Sequence, residues 1–60
     1  MSNTTTTLQA AVDAFLAEDA KFTAGNKAAG TRARKALQEV ITHAKARRVE
    51  IQEAKNASKA

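Results

Sequence analysis

One break governs how this chain can fold. The sequence has no proline, and its only glycines are Gly25 and Gly30. Gly25-Asn26 is therefore the clearest point at which a helix must stop. A glycine fits the left-handed residue that ends one helix, and an asparagine fits the N-cap of the next. A connection that short forces two helices to run antiparallel. A longer loop over residues 27–30, with Thr31 as N-cap, is the alternative. The short turn is favoured because Gly30 falls on the apolar face of the second helix.

Periodicity fills in the two arms. Leu8, Ala11, Val12, Phe15, Leu16 and Phe22 share one face at helical spacing, predicting a first helix over residues 7–24. Residues 1–6, polar and rich in threonine, are expected to be disordered. Gly30, Ala33, Leu37, Val40, Ile41, Ala44 and Ile51 share a face of a second helix over residues 27–57, with 58–60 frayed. The expected core is Leu8, Val12, Phe15 and Phe22 against Leu37, Val40, Ile41 and Ile51. Gly30 and Ala33 should lie opposite Phe22, where a ring needs small partners. Asp19 interrupts the first arc between Phe15 and Phe22. A buried carboxylate needs a partner, and Arg32 or Arg34 just past the turn should supply it. From about Ala46 the second helix should overhang the first.

Composition decides whether such a hairpin can stand alone. Of sixty residues, fifteen are alanine, eleven are large and apolar, and none is Trp or Tyr. So few large side chains make a poor core for a monomer of this size. The expected fold is an all-α antiparallel helical hairpin that forms a homodimer, as a four-helix bundle or coiled-coil-like assembly.

The charge is divided between the arms. The net charge is +4 and the isoelectric point about 10.0. Residues 1–20 carry three acids and no base; residues 21–60 carry all ten bases and three acids. On a helical wheel with Leu37 at zero, Lys27, Arg34, Lys45, Arg48, Lys55 and Lys59 fall between about 0° and 80°. Glu39, Glu50 and Glu53 cluster at about 160–220°, together with Arg32 and Lys35. Such segregation of sign points to a polyanion that follows the stripe. Lys27, Arg32, Arg34, Lys35, Lys45, Arg47, Arg48 and Lys55 are the candidate binding residues.

Several functions lack their residues. Without cysteine there is no disulfide framework or thiolate metal site. His43 is the single histidine and is read as a surface residue, with Glu39 alone too small a metal-ligand set. No nucleophile–base–acid set and no glycine-rich phosphate loop appear, so no enzyme, cofactor or small-molecule substrate is expected. No apolar run is long enough for a signal peptide or a membrane span. With so few aromatics to stack on unpaired bases, single-strand binding is disfavoured. No compact set of Asn and Gln faces base edges, so phosphate contacts should dominate.

The run Gly25-Asn26-Lys27-Ala28-Ala29-Gly30-Thr31-Arg32, continuing through Arg34-Lys35-Ala36-Leu37-Gln38-Glu39 and on to Arg48-Val49-Glu50-Ile51-Gln52, resembles the chlamydial-type, linker-histone-like nucleoid proteins of bacteria. The likeness covers roughly residues 15–57. It implies non-specific binding of double-stranded DNA and compaction of the chromosome, hence a cytoplasmic, nucleoid location. Residue by residue it points to Lys27, Arg32, Arg34 and Lys35. Members of that family commonly carry a long Lys/Ala/Pro-rich tail. This sequence ends at Lys55-Asn56-Ala57-Ser58-Lys59-Ala60, so the resemblance is to a short form, and a dimer would have to join two basic surfaces in place of a tail.

The leading expectation is thus a DNA-compacting or DNA-bridging histone-like protein. A helical oligomerisation or adaptor module with an acidic protein partner is the alternative. A peripheral membrane helix is disfavoured, because the apolar face lacks Trp and dense Leu.

Overall fold

A computed structural model describes residues Asn3–Lys59. Two helices account for nearly all of it: α1, Asn3–Thr23, and α2, Lys27–Lys59. They form an antiparallel hairpin 53 Å long and 17 by 13 Å in section. At 1.5 Å per residue the 33 residues of α2 span about 50 Å, so α2 alone sets the length.

The turn is built from two caps that share a residue. Gly25 adopts φ +112°. Its N–H donates to the Phe22 carbonyl at 2.9 Å, and the Asn26 N–H reaches back to the Lys21 carbonyl at 3.0 Å. This paired closure ends a helix and satisfies carbonyls that would otherwise lack donors. Asn26 then opens α2: the Ala29 N–H donates to its side-chain Oδ1 at 3.3 Å. One asparagine thus closes α1 through its N–H and caps α2 through its side chain, which keeps the connection at three residues.

The interior is alanine. Among the described residues the buried side chains are Ala11, Ala29, Ala33 and Ala36. Leu8, Val12, Phe15 and Val40, expected at the centre, are only half-buried at the margins. Phe22, Leu37, Ile41 and Ile51 are exposed to between 41% and 52%. The expected core is therefore corrected: alanines hold the centre, and the large residues expected there flank it. Small residues let two helix backbones approach closely, and two helices alone cannot cover a large side chain on both sides. Gly30 continues this logic beside the turn, where Phe22 lies directly over it.

Helix α1 begins four residues before the expected start at Thr7, within a segment expected to be disordered. The reason is tertiary. The Thr4 hydroxyl donates to the Glu50 carboxylate across the hairpin, and the Thr7 hydroxyl donates to the Asn3 carbonyl at 2.8 Å. These contacts hold a first turn that four consecutive threonines would not favour by propensity. Met1 and Ser2, expected to be disordered with them, lie outside the described residues, as does Ala60. Residues 58 and 59, expected to fray, belong to α2, and the Ser58 hydroxyl donates to the Ala54 carbonyl at 3.0 Å. Because α1 reaches back to the level of Glu50, the overhang of α2 begins near Ile51 rather than Ala46.

Candidate nucleic-acid interface

The alanine seam rotates both helices relative to a wheel centred on the large apolar residues. The rotation gives the hairpin two unlike flanks. On one, Glu18 of α1 faces Arg32 of α2, with Arg32 Nε donating to Glu18 Oε2 at 2.7 Å. Lys21 Nζ lies 3.8 Å from the same carboxylate. Further along this flank Arg47 Nη1 donates to Glu50 Oε1 at 2.8 Å. The hydrogen bond from Arg32, reinforced by the nearby positive charges, holds the Glu18 carboxyl below its ordinary value. Hydrogen bonds from Thr4 and then Arg47 do the same for Glu50. Lys35 lines a shallow groove here with Glu18 and Glu39.

The other flank carries a second shallow groove. Phe15, Phe22 and Leu37 floor it, Asp19 stands on its α1 side, and Lys27 and Arg34 stand on its α2 side. Lys45 and Arg48 line a depression with Val49 and Gln52. Lys55 follows on the overhang, in a groove that it lines with Arg47, Glu50, Ile51 and Ala54. Among the described residues no ion pair engages Lys27, Arg34, Lys45, Arg48 or Lys55.

The eight candidate residues therefore divide. Lys27, Arg34, Lys45, Arg48 and Lys55 form a row of cations along α2 that no carboxylate among the described residues engages. Arg32 and Arg47 are held by carboxylates, and Lys35 lies among them. The expected pairing of Asp19 with Arg32 or Arg34 is also corrected. Asp19 is exposed, and its neighbour Glu18 takes Arg32. The two acids lie about 100° apart on α1, so turning the seam toward Ala11 moves Glu18 to one margin and Asp19 to the other. Glu18 and Glu50, which decide which arginines are engaged, were not singled out by periodicity. A signal was present: facing pairs such as Glu18–Arg32 and Phe22–Gly30 have residue numbers that add to 50–52, as a turn centred near residue 25 requires.

His43 is half-buried rather than at the surface. The described residues contain no group of three or more His, Cys, Asp or Glu that could hold a metal ion. No helix among them is long and apolar enough to cross a membrane.

These features define a small, basic, all-α hairpin protein with one acid-balanced flank and one cationic flank. The chain belongs to the histone H1-like protein Hc1 family, whose profile matches residues 2–57. It is a family of histone-like proteins and not of enzymes, and it is the family that the run from Gly25 resembles. No curated protein and no solved structure matches the chain.

Proposed function

We propose that this protein binds double-stranded DNA without sequence preference, through phosphate contacts made by the cationic flank, and that a homodimer compacts or bridges the bound DNA in the nucleoid. The observation that carries the reading is the segregation of charge on α2. Lys27 to Lys55 is a run of about 42 Å at 1.5 Å per residue, long enough to follow several phosphates. Arg32 and Arg47 are engaged by Glu18 and Glu50, which leaves the unengaged cations as the main phosphate contacts. Neutralising five phosphates releases condensed counterions, so affinity should fall with salt with a log–log slope of about −4 to −5. Membership in a histone H1-like family supports the same reading.

The dimer rests on the apolar residues that the hairpin leaves uncovered, among them Leu16, Phe22, Leu37 and Ile41. Competition separates DNA from an acidic protein partner. A labelled duplex is displaced from the protein by unlabelled duplex or by polyglutamate of equal charge. Displacement by duplex at far lower charge concentration supports DNA; equal displacement by polyglutamate points to the adaptor alternative.

A further inference from the structure

The exposed face calls for a second copy of the chain. The hairpin presents 4690 Å² of surface, whereas a compact monomer of its mass presents about 3,800 Å². The difference, roughly 900 Å², is close to the ~800 Å² that one partner buries in a stable interface. The groove flank holds the apolar residues to fill it, Phe15, Phe22 and Leu37, with Leu16 and Ile41 exposed nearby.

Two face-to-face arrangements with twofold symmetry are available to a hairpin. In one, the axis runs across the helices: α1 packs on α1 of the second copy, α2 on α2, and the turns lie at opposite ends. In the other, the axis runs along the helices: α1 packs on α2 of the second copy, and both turns lie at the same end. Charge separates them. Crosswise packing lays the cationic row of one α2 antiparallel against the same row of the second copy, and like charges juxtaposed across an interface are unfavourable. Lengthwise packing sets acidic α1 against basic α2. Asp19 stands across the groove from Lys27 and Arg34, so a lengthwise axis brings it level with Arg34 of the second copy.

We infer that two copies pack lengthwise with both turns at one end, each Asp19 facing Arg34 of the other copy. This rests on the dimer of the proposed function and fixes its geometry. A consequence follows for DNA. Lengthwise packing takes Arg34 into the contact and carries the rest of each cationic row to opposite edges of the dimer, where each can hold its own duplex. Crosswise packing would merge them into one broad row for a single duplex.

The chain has no cysteine, so Ala24→Cys places one spin label beside each turn. Turns at one end give a label separation set by the width of a four-helix bundle, two helix diameters or about 20 Å. Turns at opposite ends are separated by the length of α1, about 32 Å for its 21 residues. A short distance in a sedimenting dimer is expected. A long distance in a dimer overturns the arrangement and leaves the dimer standing. A monomer by sedimentation overturns both and leaves DNA binding to the competition assay. A charge swap gives an independent readout. Asp19→Arg should weaken self-association about tenfold or more, and D19R combined with R34D should restore it to within about threefold. Failure of the double variant to recover, with each hairpin still helical, removes the Asp19–Arg34 contact.

Discussion

A Cβ atom on Gly30 would lie 2.7 Å from Cδ1 of Phe22. The glycine is thus a seat for the ring, although it sits in a helix interior where alanine is ordinarily preferred. Gly30→Ala gains about 1 kcal/mol of helix propensity but forces the ring aside, at about 1–3 kcal/mol for overpacking. The variant should melt below the parent. In a Phe22→Ala background the ring is gone, and the same substitution should raise the melting temperature. Equal shifts in the two backgrounds would show that Phe22 does not constrain Gly30.

Gly25 should be replaceable by only one hand of alanine. Its φ of +112° lies in the left-handed region. An L-residue there should cost about 1–2 kcal/mol. D-Ala at position 25, introduced by chemical synthesis, should restore the parent's thermal stability. Asn26→Ala should cost a further ~1 kcal/mol through loss of the N-cap. Thermal melts followed by far-ultraviolet circular dichroism measure all three.

Acid should loosen the hairpin. Glu18 and Glu50 titrate below their ordinary value of 4.5 in the folded state, first because of the hydrogen bonds from Arg32 and Thr4 respectively. A carboxylate with a lowered folded value contributes stability above its unfolded value and loses it as the pH falls through the folded one. The stabilisation is therefore present at neutral pH and declines below about pH 4.5. Glu18→Gln and Glu50→Gln should each flatten the fall in denaturation midpoint between neutral and acid pH. An unchanged slope in either variant would mean that its carboxylate makes no such contribution.

The division of the cations makes a prediction about DNA. Lys45→Glu and Arg48→Glu should weaken binding on every sequence, and neutral substitution of either should reduce the salt slope by about 1. Reversal at Arg32 should weaken it less, because Glu18 already holds that guanidinium. Glu18→Gln should release Arg32 and tighten binding at low salt. Fluorescence anisotropy of a labelled duplex gives these affinities. If Arg32 and Arg48 prove equivalent, the acid-balanced flank is not set apart.

The hairpin and its turn were legible because Gly25 and Asn26 are residues whose backbone and hydrogen-bonding preferences act locally. The seating of Phe22 over Gly30 was legible for a related reason, since both lie within one turn of the break. The seam was not legible. Hydropathy weights large residues, and alanine counts for little, yet two helices alone pack most closely along a line of alanines. The apolar wheel therefore centred on Leu37 and Phe15, while the contact runs through Ala11, Ala29, Ala33 and Ala36. That offset exchanged the places of Glu18 and Asp19. It also left Arg32 and Arg47, which Glu18 and Glu50 engage, grouped with cations that no such pair holds. The early start of α1 was hidden for another reason: it depends on Thr4 meeting Glu50, forty-six residues away.

The most direct test of the central claim is a gel-shift titration of the intact protein with two duplexes of equal length and unrelated sequence, each at low and at near-physiological salt. Phosphate contact along the Lys27–Lys55 row predicts equal affinity for the two duplexes and a steep loss of both as salt rises. A marked preference for one duplex, or no shift even at low salt, would contradict it.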